Sequence, residues 1–477
     1  MNKLIQKFFD KNAERKLNIH CLGDAMIDEY YDVSITRISP ESIAPVMLTN
    51  GRECIRVPGG VANVAYQFRN FNVTPRIICL NSDYEDIKLL RSFGLEVFEA
   101  QGDSWFPLKR RFVCNRQIVA RHDLEYPCPD VNTNEVELTS ADIKTLIQIM
   151  KRDFGVPDVA IFSDYNKGFF NIKNSFIQMY DHRTIKIVDP KKGPLSKWKG
   201  CTVFKPNASE AYELTGYTDW KSQATCIVNE IGCKAVVITH AGGKVCGIEG
   251  TKFFEYNPTR KVRVESVVGA GDCFASFFAM AVGHGFSMEE CSEIGWNAGS
   301  SYVQRSLNKP LYPVDLISEK IIDPKYLIER DFKLVLTNGC FDYGLTAAHV
   351  KLLHFAKEQG DRLVVALNSD QSISNIKGEG RPILPLVERQ EIMAAMDCVD
   401  YVVSFDEDTP LELIQQIKPD IIVKGGDYSP DQVVGKEYSN VVIFNLMEAT
   451  STTEKIKKAY KFIENEEIKQ KTNKEEV

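Results

Sequence analysis

A glycine-rich turn ending in aspartate, residues 264–274 (VESVVGAGDCF), runs straight into the apolar stretch ASFFAMAVG. Gly269, Ala270 and Gly271 ahead of a helix would leave backbone N–H groups pointing outward at the positive end of the helix dipole. That is an anion site suited to a transferring phosphoryl group. Asp272 stands where it can accept the proton of an attacking hydroxyl, which phosphoryl transfer asks of a base. A plain glycine turn with Asp272 as a helix cap would use the same residues. Upstream, residues 57–64 (VPGGVANV) set Gly59 and Gly60 ahead of a helix carrying Asn63, where backbone can approach a sugar closely.

Two further groups fit the same chemistry. Asn207 and Glu210 in KPNASEA keep N-x-x-E spacing, which can orient the water shell of a magnesium ion. Asp28 closes GDAMID (23–28), directly after the first expected strand, where α/β proteins place ligand groups. In the last third, KLVLTNGCF (333–341) reads as a strand running into a glycine turn. Asp342 follows, then His349 at the start of the apolar helix VKLLHFA. KGEGRPI (377–383), KGGDY (424–428) and TSTTEKI (450–456) lie downstream. A histidine at a helix start can also have no chemical duty, and that alternative stays open for His349.

Those residues need elements to hold them. Short β-branched apolar runs alternate with helix-like stretches through most of the chain, the pattern of parallel α/β sheets. Residues 19–22, 159–162, 185–188 and 235–239 form one set of expected strands; 334–337, 362–367, 401–403 and 421–423 form a second. Between the sets, residues 307–331 carry Pro310, Pro313 and Pro324 and no sustained helical period, which marks a connection between domains. The opening MNKLIQKFFDKNAERK reads as an amphipathic helix, without the apolar stretch and cleavage site of a signal peptide. Residues 464–477 are charged and polar with no apolar face, and disorder is expected there.

A chain of 477 residues is too long for one core, so two or three domains are expected. Its 44% hydrophobic and 26% charged residues are those of an ordinary globular protein. The 58 basic and 65 acidic side chains, net −7, are spread along the whole length. No basic stripe exists to neutralise a nucleic-acid backbone, although a local basic pocket for a small phosphorylated ligand is compatible with this balance. No apolar run reaches about 18 residues, so no membrane span is expected. The 13 cysteines are scattered and never spaced C-x-x-C, which points to reduced thiols in the cytoplasm and away from structural zinc.

The di-glycine motif, N-x-x-E and G-A-G-D, in that order, resemble the ribokinase-like sugar kinases over roughly residues 15–310. The resemblance implies Asp272 as catalytic base and Gly269, Ala270 and Gly271 as anion hole. It also implies Asn207 and Glu210 serving Mg-ATP, with Asp28, Gly59, Gly60 and Asn63 holding the sugar. The chain departs from the family where Ser266-Val267 replace the usual Asp-Thr, and where THAGGK (239–244) keeps only some of the nucleotide-loop glycines. RISPESIAPV (37–46), SDYNKG (163–168) and VDPKKG (188–193) are similar to the heptose 7-phosphate kinase branch. Lys191, Lys192, Arg110 and Arg111 are then candidate ligands for a substrate that already bears a phosphate. Solvated surface charge is the plain alternative for each of the four.

Residues 332–460 resemble the cytidylyltransferase-like nucleotidyltransferases, and the two resemblances in this order match the bifunctional heptose-7-phosphate kinase/adenylyltransferases. The transfer needs charge stabilised on an α-phosphate under attack by a sugar phosphate while pyrophosphate leaves. A helix N-terminus, an imidazole and hydroxyl donors suit that without a covalent intermediate. By resemblance His349 is the catalytic phosphate-binding histidine, Thr346 joins it at the nucleotide, and Ser451 and Thr452 cradle the leaving group. The family's H-x-G-H starts two residues after an F-D pair, whereas this chain reads F-D-Y-G-L-T-A-A-H. Thr346 replaces the first histidine, Ala348 the glycine, and one extra residue precedes His349, which a bulge at Gly344 can absorb. Other adenylyltransferases of the superfamily use T-x-x-H.

The resulting expectation is an α/β protein with a ribokinase-like domain over residues 1–318, a Rossmann-like nucleotidyltransferase domain over 332–464, and a disordered tail over 465–477. It would phosphorylate D-glycero-D-manno-heptose 7-phosphate at C1 with ATP and Mg2+, then adenylylate heptose 1-phosphate to ADP-heptose for lipopolysaccharide or another surface glycan. A cytoplasmic homodimer is expected, with sugar phosphate and ATP as ligands and no nucleic acid or membrane partner. Two alternatives stay open: a kinase carrying a silent nucleotide-binding domain, and the same reactions on another phosphorylated sugar.

Overall fold

Short runs of β-branched and apolar residues buried on both faces build the main sheet. The computed structural model describes residues 2–49, 51, 54–80, 84–100, 106–115, 117–125, 140–170, 176–241, 243–260, 262–305, 309–426 and 429–445. Ser451, Thr452, the rest of TSTTEKI, Asp427 and Tyr428 of KGGDY, and the tail expected at 465–477 lie outside the described residues. The chain forms two compact units, Asn2–Leu316 and Ile317–Val477.

The first unit's described strands begin with β1 (Ile19–Gly23), β2 (Ala25–Ile38), β3 (Pro45–Thr49), β4 (Ile55–Gly60), β5 (Arg76–Leu80), β6 (Glu96–Ala100), β7 (Leu108–Cys114) and β8 (Gln117–Leu124). They continue with β9 (Val159–Ser163), β10 (Ile185–Asp189), β11 (Val203–Phe204), β12 (Ala235–Thr239), β13 (Val245–Glu249) and β14 (Lys252–Tyr256). Nine form one sheet in the order β14-β13-β12-β11-β10-β9-β1-β5-β6, parallel except where β13 meets its two neighbours. β1 and β9 are buried at every residue, as befits parallel strands covered on both faces. Helix Ala270–Gly283, buried at every position from 273 to 282, is the apolar element foreseen after the G-A-G-D turn. The N-terminal helix, Lys3–Glu14, buries Ile5, Phe8 and Phe9.

The remaining strands make a lid sheet, β3-β2-β7-β8, with β4 also paired to β2. Its register decides what each face offers. Asp28 lies opposite Lys109, Lys109 opposite Asp123 and Arg111 opposite Arg121, while Met26 lies opposite Gly59, so all of these share one face. Glu29, Arg56 and Arg110 share the other. Asp28 therefore sits within a lid strand, four residues beyond the turn that ends β1.

In the second unit β15 (Leu334–Gly339), β16 (Arg362–Asn368), β17 (Tyr401–Phe405), β18 (Ile421–Gly425) and β19 (Asn440–Phe444) are all parallel, in the order β17-β16-β15-β18-β19. This is a Rossmann-like sheet whose order reverses between β15 and β18, where such folds bind ligands at the strands' carboxyl ends. Val335, Leu353, Leu363, Val365 and Val423 fill its core. The expected connection, 307–331, is divided between the units. Leu311 is buried in the first, where Arg305 pairs with Asp315 at 2.5 Å. From Ile317 the chain belongs to the second, where Ile321 bridges to Val402. Among the described residues, no helix is long and apolar enough to cross a membrane.

Candidate active sites

Asp272 stands in the first turn of helix Ala270–Gly283. Its Oδ2 accepts a hydrogen bond from Asn63 Nδ2 at 2.7 Å, and its Oδ1 accepts one from the Tyr165 hydroxyl. Asn63, wholly buried in the short helix Val61–Tyr66, accepts in turn from Gln67 Nε2 at 3.0 Å. Its amide, expected on the sugar, is thus turned to the base. Burial pushes the Asp272 carboxyl up to about 6; the bonds from Tyr165 and Asn63 restrain the rise, and the charges of Asp189 and Asp28 add to it. Such a group is mostly ionised at neutral pH and basic enough to take a hydroxyl proton. Gly269, the helix cap, has φ +77, and a Cβ there would lie 2.7 Å from Asn63 Nδ2 and 2.8 Å from the Tyr302 hydroxyl. Only glycine fits so close to the base's partner.

Tyr165 carries a role that no local pattern announces. The SDYNKG turn that holds it is wrapped around two buried acids. Asp24 accepts from the backbone N–H groups of Tyr165 at 2.9 Å, Lys167 at 3.1 Å and Phe169 at 3.0 Å. Asp164 accepts from Asn166 N at 2.8 Å and pairs with Lys197 at 3.1 Å. Both acids follow strand ends, β1 and β9, which are neighbours in the sheet.

The lid offers Asp28, whose charge acts on Asp272 and which is joined to Arg111 in a buried pair at 2.7 Å. Gly59 lies under it; an added Cβ would come within 3.0 Å of Asp28 Oδ2. Gly60 takes φ +57, and a Cβ there would meet Asp24 O at 2.3 Å. Lys109, beside Asp28, places its Nζ 5.6 Å from the centre of the Tyr165 ring. Burial lowers its pKa, against the charge of Asp28. Of the two arginines considered as phosphate ligands, Arg111 is engaged by Asp28, and Arg110 lies on the opposite face, paired with Glu29 at 2.9 Å.

On the expected nucleotide side, Asn207 and Glu210 form a reciprocal capping box on helix Ala208–Thr215, each bond 2.9 Å. The second Glu210 oxygen holds Lys191 at 2.9 Å, and Asp189 holds Lys205 at 2.9 Å. Burial raises the Asp189 carboxyl, with Lys205 opposing. Lys192 is exposed. Among the described residues, no group of three or more His, Cys, Asp or Glu could hold a metal ion. Glu210 and Asp189 fit instead an outer-sphere role beside a magnesium ion that keeps its waters and arrives on ATP.

In the second unit the chain leaves β15 through Cys340 and Phe341, which takes φ +45, and turns at Gly344, φ +102, whose N–H donates to Phe341 O at 3.0 Å. Helix Ala347–Glu358 then starts on Thr346. Gly344 thus stands before the helix, at a φ that glycine adopts without strain. The Thr346 hydroxyl accepts from His349 N at 3.3 Å, and His349 Nδ1 accepts from Thr346 N at 3.2 Å. This capping box uses histidine where Glu or Gln is usual. Since a backbone N–H must donate, Nδ1 is the acceptor and the neutral ring's proton sits on Nε2. Phe341 packs edge-on against the ring at 5.0 Å.

The second unit also holds residues to which the sequence reading gave no role, some within its motifs and some, such as Arg389, outside them. Buried Asp342 draws in Lys377 at 3.1 Å and also Arg381, so KGEGRPI is tied to the strand end. Fully buried Arg389 clamps the carbonyls of Cys340 at 2.9 Å and Asn368 at 2.8 Å, with Asp370 at 2.7 Å. Lys424 at the end of β18 donates to Asn338 O at 3.4 Å, and burial lowers its amine to about 8, with Cys340 opposing. Thr337 Oγ1 and Asn338 Oδ1 are buried with no hydrogen-bond partner, and they lie at the end of β15, where the strand order reverses. Unpaired buried polar atoms at such a point are what a bound ligand satisfies.

The fold and the two sites define a carbohydrate kinase joined to a nucleotidyltransferase. Residues 170–312 match the pfkB family carbohydrate kinases and 336–470 the cytidylyltransferase-like family. The chain is 30% identical to the bifunctional protein HldE of Hydrogenovibrio crunogenus, over 95% of this chain and 98% of that one. It is 32% identical to the HldE of Vibrio parahaemolyticus, over 91% and 95% respectively. The chain belongs to the family of bifunctional HldE proteins. In fold alone, it matches the phosphofructokinase-2 of Escherichia coli crystallised with potassium, TM-score 0.51 at 18% identity, over 63% of this chain and 97% of that one.

Proposed function

We propose that this enzyme makes ADP-heptose from D-glycero-D-manno-heptose 7-phosphate in two of its steps. In the first unit the C1 hydroxyl attacks the γ-phosphorus of ATP. The hydroxyl proton passes to Asp272, ADP leaves, and heptose 1,7-bisphosphate forms. Residues Gly269, Ala270 and Gly271 present the helix N-terminus to the transferring group. Asp28, Gly59 and Gly60 hold the sugar, and Asn63 orients the base. Asn207 and Glu210 serve Mg-ATP, whose metal neutralises phosphate charge. A phosphatase must then remove the 7-phosphate before the second unit acts. There the 1-phosphate oxygen attacks the α-phosphorus of a second ATP and pyrophosphate leaves. His349 Nε2 and Thr346 stand at the nucleotide, and Ser451 and Thr452 cradle the leaving group.

The observation that supports this reading is that one chain of the HldE family holds Asp272 by Asn63 and Tyr165 and His349 by its capping box with Thr346. The described cysteines are free thiols, which supports a cytoplasmic enzyme. Ile35, Ile38, Leu48 and Ile118 are exposed on the lid, which supports pairing of two copies there. The test measures the two products separately. The full chain should release ADP with heptose 7-phosphate and pyrophosphate with heptose 1-phosphate. ADP without pyrophosphate on any heptose phosphate would leave a kinase carrying a silent second unit, and neither product would refute the sugar.

A further inference from the structure

We infer that Lys109, with Arg121 beside it, grips the phosphate that the sugar already carries, so that the lid selects a phosphorylated sugar over the free one. This rests on the kinase reaction proposed above. The lid face that carries Asp28 also carries Lys109, Arg111 and Arg121, since Lys109 lies opposite Asp28 and Arg111 opposite Arg121. Each has a different fate. Arg111 is held in a buried pair with Asp28 through Nη1. Arg121 is held by Asp123, through Nε at 2.6 Å and Nη2 at 2.5 Å, at the open edge of the sheet. Lys109, partly buried, has no carboxylate partner among the described residues and rests over the Tyr165 ring.

A partly desolvated ammonium with no ion-paired carboxylate is costly, and a phosphate dianion is the ligand that would offset it. Lys109 feels the charges of both Asp28 and Asp272, so it stands within reach of the space between the sugar-holding acid and the base. It belongs to the lid, whereas the groups assigned to ATP, Gly269 to Gly271, Asn207 and Glu210, begin helices on the main sheet. The assignment therefore goes to the sugar's own phosphate and not to the γ-phosphoryl group. Arg121, across from Arg111, can turn from Asp123 to the same anion.

The two substrates that separate these roles are D-glycero-D-manno-heptose 7-phosphate and the free heptose, each given to the full chain and to Lys109→Met. Where the free sugar turns over too slowly, its inhibition constant against the 7-phosphate replaces KM. For the 7-phosphate, Lys109→Met should raise KM about 10- to 100-fold, the loss of one charge-assisted contact. The loss on the free sugar should be at least about tenfold smaller, and Lys109→Arg should recover part of the preference. Equal losses on both sugars would assign Lys109 to the transferring phosphoryl group or to folding, and overturn the inference, as would no loss at all. A wild-type enzyme that binds both sugars equally overturns it too. Wild-type inactivity on the 7-phosphate would instead overturn the kinase reading, and this inference with it.

Discussion

Asp272 and His349 both stand in the first turn of a helix, yet they are fixed in opposite ways. Asp272, the proposed kinase base, is held by Asn63 and Tyr165, which lie 209 and 107 residues away in sequence. His349, the proposed transferase histidine, is held by Thr346, three residues away. A local contact closes almost no loop, so its ordering cost is small and its geometry travels with the helix. That explains how the second site can replace H-x-G-H by T-x-x-H and admit an extra residue at Gly344 while keeping its ring posed. The first site has no such freedom, because Gly60, Gly269 and Asn63 are locked together by the packing of separate elements.

The largest effect expected from breaking this contrast is at the base. Asp272→Asn keeps the shape but cannot take the proton, and should cut ADP formation about 10²- to 10⁴-fold or more. Pyrophosphate release from heptose 1-phosphate by the same variant should match wild type. Parallel loss of both would show that the sites are not chemically independent.

A smaller effect separates the two sites by pH. The Asp272 carboxyl, raised to about 6, works only when ionised, so kinase kcat/KM should fall roughly tenfold per unit below about pH 6. Lys424, lowered to about 8, loses its charge above that value, so a decline of pyrophosphate release above about pH 8 that Lys424→Met abolishes would give it a part in the second site. Because burial makes the folded state hold the Asp272 proton more tightly than the unfolded chain does, stability falls as pH rises through the range from the ordinary value of 3.8 to about 6. Asp272→Asn removes that cost, and its first unit should resist unfolding better than wild type at pH 7. A kinase profile flat down to pH 4.5 would contradict the environment assigned to the base.

The same contrast governs what could be read from residues alone. The largely buried strands β1, β9 and β12, and β15 to β18, announce themselves as short apolar runs because both faces are covered, and the half-buried β10 does so through the same run of β-branched residues. The lid does not: β2 and β7 put charge on both faces, with Asp28, Lys109 and Arg111 on one and Glu29 and Arg110 on the other, so the alternation that marks a half-buried strand is missing. Asp272 and His349 stood out as candidates through motifs that lie within a few residues. Tyr165 and Lys109 did not, since their place beside Asp272 exists only once distant strands pair. The N-x-x-E of Asn207 and Glu210 was legible as spacing, and the structure shows that spacing closing a helix cap as well.

The smallest expected effect is also the sharpest test of local against distant support. Thr346→Ala deletes the hydroxyl that caps helix Ala347–Glu358, and such a loss costs about 0.5–2 kcal/mol. The second bond of the box survives, because His349 Nδ1 accepts from the backbone N–H of residue 346, which alanine retains. The ring should therefore stay oriented, and pyrophosphate release should fall only a few-fold, with Thr346→Ser close to wild type. His349→Ala removes the Nε2 donor itself and should cost about 10²-fold or more. Asn63→Ala offers the matching cut in the kinase, where no backbone group stands behind the lost amide and the Asp272 oxygen is left buried and underbonded. It should harm ADP formation much more than Thr346→Ala harms pyrophosphate release. Amide exchange in the first turn of helix Ala347–Glu358 reports the cap, and product assays report the chemistry. If Thr346→Ala proved as damaging as His349→Ala, the hydroxyl would be touching the nucleotide, and the histidine's local support would not be what keeps the second site working.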